Sequence, residues 1–124
     1  MKKTVLVVED DEDLLRIYKE ILELKDFNVE TAENGQIGVE KFTQVRPSLV
    51  IMDGEMPVLN GYQAFKQIKR LDKNANVVIV TGFSELEEKN QEAIKEGLIK
   101  VISKPVGLKQ IIELAEKYTE IQVK

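Results

Sequence analysis

The chain has no cysteine, no histidine and no tryptophan among its 124 residues. Without cysteine there is no disulfide framework, no thiol nucleophile and no thiolate metal site. Without histidine there is no Ser-His-Asp triad and no imidazole ligand for zinc. Proline is scarce, with 3 residues, and no Pro/Gly/Ser-rich linker divides the chain. No apolar run approaches the roughly 18 residues of a membrane span, and the N-terminus lacks a signal-peptide core. A cytoplasmic location is the resulting expectation. Positive charge is in deficit, with 18 Lys and Arg against 22 Asp and Glu and a net charge of −4. Such a balance disfavours non-specific binding to nucleic acid or to an anionic membrane. Chemistry, if any, must rest on carboxylates, lysines, hydroxyls and a hard metal ion.

What is present is ordinary for a folded protein. Hydrophobic residues make up 43% and charged residues 32%, which argues against disorder. The length suits one domain over residues 1–124, burying about two-thirds of the surface of its unfolded chain. A second catalytic or DNA-binding module has no room beside it. The start at Met1 and the helical pattern that runs to the end lead to the expectation of a complete single-domain protein.

Short apolar, β-branched runs recur at Thr4–Val8, Asn28–Thr31, Leu49–Met52, Val77–Val80 and Ile99–Ile102. The near-unbroken runs Val5–Val8 and Val77–Val80 read as strands covered on both faces. Amphipathic helical patterns lie between the runs. Leu14, Leu15, Tyr18, Ile21, Leu22 and Leu24 mark the first, with Asp11 to Asp13 capping its start. Ile37, Val39, Phe42 and Val45 mark the second, ended by Pro47. Tyr62, Phe65, Ile68 and Leu71 mark the third, opening after Asn60-Gly61. Ser84–Lys95 is the fourth and the most polar, with a capping box expected from Ser84 and Glu87 and an end at Gly97. Leu108, Ile111, Ile112, Ala115 and Tyr118 mark the fifth. The alternation predicts an α/β fold, a doubly wound five-stranded parallel sheet with five helices on its two faces. Ligands in such folds bind beyond the carboxyl ends of the strands.

The residues at those ends carry the chemistry. Glu9, Asp10, Asp11, Glu12 and Asp13 follow the first strand, and Asp53, Gly54, Glu55, Met56 and Pro57 follow the third. Thr81, Gly82, Phe83 and Ser84 follow the fourth, and Ser103, Lys104 and Pro105 the fifth. Three ionised carboxylates from Glu9, Asp10 and Asp53 at about 4 Å repel by roughly 4 kcal/mol per pair at an effective dielectric of 20. The sum rivals the stability of a whole domain. Such a cluster needs a cation, a proton or wider spacing. Mg²⁺ suits a site of few carboxylates with water and phosphate. Together with a carboxylate nucleophile, the Thr81 hydroxyl and the Lys104 ammonium, it points to phosphoryl transfer onto an aspartate.

At this point the chain resembles the receiver domain of two-component response regulators, the chemotaxis-regulator type with a flavodoxin-like (βα)5 fold. Val7-Val8-Glu9-Asp10-Asp11, Asp53-Gly54-Glu55-Met56-Pro57 with Asn60-Gly61, Thr81-Gly82 and Lys104-Pro105 carry the likeness, in order, from about Thr4 to Tyr118. The resemblance implies that Asp53 is phosphorylated and that Glu9, Asp10, Asp53 and the backbone carbonyl of Glu55 hold Mg²⁺. It implies that Thr81 follows the phosphoryl group, that Lys104 contacts it, and that Lys104-Pro105 is cis. A sensor histidine kinase, a histidine phosphotransfer protein or a small phosphodonor would supply the phosphoryl group. Output would pass to a downstream protein by contact or by onward transfer, with no nucleic acid or membrane involved. The protein would catalyse only its own phosphorylation and dephosphorylation.

Three positions depart from the family pattern. Val101 stands where an aromatic residue is usual, so rotation of a ring cannot carry the switch. Glu55 adds a carboxylate at the site mouth, and Phe83 stands two residues after Thr81. The expectation is that Phe83 restricts attacking water and that Glu55 alters the phosphate lifetime through its charge. Ile99 and Val101 are candidate uncovered docking residues, and the charge-rich Glu85–Glu96 stretch is a solvated face or a mobile partner-binding element. Other functions compete. A phosphorylation-independent interaction module would keep the fold without the switch. A small aspartate-nucleophile phosphatase lacks room for a substrate pocket, and a flavin site lacks a glycine- or hydroxyl-rich loop after the first strand.

Overall fold

In the computed structural model, residues 2–119 are described. Met1 and residues 120–124, which the expected domain includes, lie outside them. Strands β1 (Thr4–Val8), β2 (Asn28–Ala32), β3 (Leu49–Asp53), β4 (Val77–Thr81) and β5 (Lys100–Ser103) alternate with helices α1 (Glu12–Leu24), α2 (Gly35–Val45), α3 (Gly61–Leu71), α4 (Glu88–Lys95) and α5 (Leu108–Thr119). The sheet order is β2-β1-β3-β4-β5, and every pairing is parallel.

Side-chain alternation along the strands divides the core into two layers. Leu6, Val8, Val50, Met52, Val77 and Ile79 pack with Phe42, Ala64, Phe65 and Ile68 of α2 and α3. Val5, Val7, Leu49, Ile51, Val78 and Val80 pack with Tyr18 and Leu22 of α1 and Ile111 and Leu114 of α5. The central strands are apolar without interruption because both of their faces are covered. The edge strand β2 is only half-buried and carries Glu30 and Thr31. Phe42 and Phe65 are among the largest side chains fully out of solvent, and truncating either to alanine costs about 3–5 kcal/mol.

The helix starts follow their capping residues. The Asp11 carboxylate accepts from the Asp13 and Leu14 amides, as expected. Asn34 caps α2 through the Ile37 amide. Asn60 and Gln63 form a reciprocal capping box at α3. Each such cap stabilises by about 1 kcal/mol. The helix α4 differs from expectation. It starts at Glu88 without a side-chain cap, and the Ser84 hydroxyl accepts instead from the Leu86 amide, two residues on. A local hydroxyl turn has displaced the capping box, because serine bonds its own neighbourhood as readily as it caps a helix. The end of α4 does follow the sequence. Gly97 has φ +105°, and its amide and that of Leu98 return to Ile94 and Ala93, the arrangement that glycine permits after a helix.

Three further expectations are corrected. Leu24, Leu71 and Leu108 are exposed rather than part of the apolar stripes, since each is the terminal residue of its helix. β5 begins at Lys100, one residue later than expected. Val101 is buried against the layer containing Ala93 and Leu98, so it offers no uncovered docking surface. No helix of the described residues is long and apolar enough to cross a membrane.

Candidate active site

The order β2-β1-β3 reverses the direction of winding between β1 and β3, which opens a crevice beyond their carboxyl ends. Glu9 stands one residue past β1, its amide bonded to the Ala32 carbonyl at 3.0 Å. Asp53 ends β3 and Thr81 ends β4, and both are buried. The Lys104 amide bonds the Thr81 carbonyl at 2.8 Å, which carries β5's exit to the same edge. Lys104-Pro105 is cis, as the resemblance implies. Gly61 closes the floor, since a Cβ there would lie 2.3 Å from the Asp53 carbonyl oxygen. Only glycine lets α3 start so near the Asp53 backbone.

Glu9, Asp10 and Asp53 each place a carboxylate oxygen within 4.8 Å of the others. Glu9 and Asp53 are buried, and Asp10 is exposed. The Lys104 ammonium lies 2.8 Å from Asp53 Oδ1, and the Glu55 amide donates to the same oxygen at 3.1 Å. Burial pushes Glu9 up to about 8, helped by its hydrogen bond to Asp53 and by the Asp53 charge. Burial also pushes Asp53 upward, but hydrogen bonds from Glu9, Lys104 and the Glu55 amide outweigh it and hold Asp53 below the usual range. The two shifts run in opposite directions and favour a proton on Glu9 and a charge on Asp53.

A pH dependence follows. Glu9 has a folded-state value above its unfolded one, so the folded state binds a proton that the unfolded chain releases. In EDTA, stability is greatest below about pH 4.5 with respect to Glu9 and falls as pH rises toward about 8. Asp53 acts oppositely and loses its contribution only as pH falls below its ordinary value of 3.8. Glu9→Gln is expected to flatten the decline between those limits, by roughly 2–4 kcal/mol at pH 8. Chemical denaturation at several pH values in EDTA measures it, and a decline of equal slope in the variant would contradict the assignment.

Glu55 is used in a way the sequence does not disclose. Its carboxylate lies apart from the acidic cluster. Thr81 Oγ1 donates to Glu55 Oε2, and the Gly82 amide donates to Oε1 at 3.1 Å. Lys104 Nζ stands 3.9 Å from Oε1. A hydroxyl, an amide and an ammonium thus converge on one anion. Phe83 lies half-exposed beside this seat, with the Lys89 ammonium over its ring at 3.4 Å.

The sequence does not disclose the pairing of Tyr62 with Asn90 either. Tyr62 looks like part of an apolar helix stripe, yet its hydroxyl donates to Asn90 Oδ1. Asn90 sits in the most polar helix and is nevertheless fully buried. One faint signal was available, the hydroxyl of Tyr62 following directly on the Asn60-Gly61 cap. On the other face, a cavity of about 440 Å³ lined by Val7, Leu14, Tyr18, Val80 and Val106 reaches Asp53 and Lys104.

The chain is similar to known proteins in sequence and in fold. The chain is 38% identical over 105 residues to the chemotaxis protein CheY of Halobacterium salinarum, covering 85% of this chain and 87% of the relative. It is 27% identical over 122 residues to the sporulation initiation phosphotransferase F of Bacillus subtilis, covering 98% of each. A response regulator receiver domain protein from Clostridium thermocellum superposes with a TM-score of 0.86 at 28% identity, covering 94% of each chain. The model of the response regulator receiver domain matches residues 5–116. With an acidic pocket, a buried aspartate at the end of β3 and a lysine bonded to it, the chain belongs to the response regulator receiver domain family.

Proposed function

We propose that the protein is a signalling receiver that takes one phosphoryl group onto Asp53 and catalyses only its own phosphorylation and dephosphorylation. The observation that carries this reading is the Asp53–Lys104 contact at 2.8 Å. It keeps the buried carboxylate ionised, as a nucleophile must be. Asp53 attacks phosphorus, an Asp53 O–P bond forms, and the bond from phosphorus to the donor breaks. The leaving group departs with its electron pair as imidazole or a carboxylate, according to the donor.

The donor set is all oxygen and strongly anionic, which fits a hard divalent cation. Glu9, Asp10 and Asp53 would hold Mg²⁺, with the Glu55 main-chain carbonyl. When bound, the cation supplies neutralising charge for the phosphoryl oxygens. Lys104 supplies a second positive charge, and the Gly82 amide and Thr81 hydroxyl supply directed donors. Glu55 now fills the place that those donors mark. The incoming phosphoryl group must displace its carboxylate, so Glu55 sets both the entry and the lifetime of the phosphoryl group. Phe83 at the rim limits the approach of water.

A cytoplasmic sensor histidine kinase or histidine phosphotransfer protein is the proposed donor, and a downstream protein is the proposed target. The name of the Bacillus subtilis relative, a phosphotransferase, favours onward transfer as one output. Intact mass after incubation with acetyl phosphate tests the reading. One added phosphoryl group in Mg²⁺ and none in EDTA is the expected result. Equal uptake in EDTA, or no uptake from either acetyl phosphate or a phosphohistidine donor, would contradict it.

A further inference from the structure

We propose that Lys89 is the positioning residue that receives the Glu55 carboxylate when a phosphoryl group takes its seat against Thr81 and Gly82. The inference rests on the reading of Asp53 as the acceptor.

The Glu55 carboxylate is bound but not buried. Its side chain is 38% exposed, and its partners are the Thr81 hydroxyl and the Gly82 amide. A phosphoryl group that claims both donors pushes this anion out of the seat. Left at the mouth, the carboxylate would repel the phosphoryl oxygens at close range. Lys104 cannot accompany it, because Asp53 holds the ammonium at 2.8 Å and the phosphoryl group draws on the same charge. The loops beyond the strand ends hold no other cation. Across residues 9–11, 33–34, 54–60, 82–87 and 104–107, Lys104 is the one positive residue among seven acidic ones.

The next cation is Lys89, the second residue of α4. Its ammonium lies 3.4 Å from the centre of the Phe83 ring and 5.2 Å from that of Tyr62. Both rings border the seat. The Phe83 amide donates to Thr81 Oγ1 at 3.1 Å. A Cβ at Gly54 would meet the Tyr62 ring at 3.1 Å and Thr81 Cβ at 3.3 Å. Among the described residues Lys89 has no carboxylate partner, and aromatic faces hold an exposed ammonium only modestly. The rings thus keep a cation beside the seat without neutralising it. Lys89 is exposed and stands on a flexible four-carbon stem. An ion pair between Glu55 and Lys89 draws the carboxylate off the phosphoryl oxygens and breaks no buried contact.

The test is a double-mutant cycle on the full chain, read as single-turnover uptake from acetyl phosphate in saturating Mg²⁺. Lys89→Met keeps the length of the side chain and removes its charge. It is expected to slow uptake about two- to fivefold, the worth of an exposed ion pair. In Glu55→Gln no anion needs a new partner, so adding Lys89→Met to it is expected to leave the rate of Glu55→Gln unchanged. A merely structural role for Lys89 would slow both backgrounds alike, and so would a rim charge that only attracts the anionic donor. Equal slowing in the two backgrounds would therefore overturn the proposal, as would a native rate in Lys89→Met. Absence of uptake by the native chain would instead overturn the acceptor reading beneath it.

Discussion

Asp53→Asn is expected to abolish phosphoryl uptake from every donor while leaving the fold intact. The amide has nearly the volume of the carboxylate, so the packing around β3 is undisturbed. It has no negative charge and is a far weaker nucleophile, so the Asp53 O–P bond does not form. The electrostatic balance explains why stability survives. The variant loses the 2.8 Å ion pair to Lys104 and also loses the carboxylate whose charge helps push Glu9 up to about 8. Lys104 keeps an anion in Glu55 at 3.9 Å. Removing one partner of a buried pair is destabilising when it orphans a buried charge, but the Lys104 side chain is 38% exposed, so water and Glu55 take up its ammonium. Intact mass and thermal denaturation measured together check both halves. Uptake at the native level in Asp53→Asn would contradict the assignment of the acceptor.

Lys104→Met carries the second largest effect. Methionine preserves the length of the side chain and removes the charge. The ammonium faces Asp53 and Glu55, and the Asp53 pairing holds it above the ordinary lysine range although burial acts the other way. A donor aimed at charge developing in the transition state is worth about 10²–10³ in rate. Uptake is therefore expected to slow by about that factor, with Mg²⁺ binding retained, because Lys104 repels a bound cation rather than holding it. Lys104→Arg is expected to restore part of the rate only, since a planar fork does not reproduce a compact ammonium. Single-turnover uptake from acetyl phosphate across a Mg²⁺ titration measures all three, and a change of less than threefold in Lys104→Met, well below that range, would remove the lysine from the mechanism.

The fold was legible because its signals are redundant. Val5–Val8 and Val77–Val80 announce covered strands, and Asp11 and Asn60 announce helix starts in the same periodic frame. The start of α4 was not legible. Ser84 and Glu87 satisfy the capping-box spacing, but the Leu86 amide claims the serine oxygen first. Spacing alone does not say which of two nearby donors wins.

The site divides in the same way. Glu9, Asp10, Asp53, Thr81 and Lys104 could be placed together from sequence because strand ends share one edge in a parallel sheet. The reach of side chains along that edge could not. Glu55 reads as an extra charge at the mouth and turns out to bond Thr81 and Gly82. Asn90 reads as one more solvated residue of a polar helix and turns out to be buried under Tyr62. Periodicity reports which face is apolar, and a polar residue satisfied inside the core leaves no mark in it.

The central claim is that the phosphoryl group resides on the Asp53 carboxylate. Reduction of the phosphorylated chain with borohydride, followed by peptide mass spectrometry, tests it most directly, because an acyl phosphate is reduced to an alcohol and other phosphoryl linkages are not. Homoserine at position 53, formed only in the presence of Mg²⁺, is the predicted result. An unreduced Asp53 in a chain that carries a phosphoryl group elsewhere would contradict the claim.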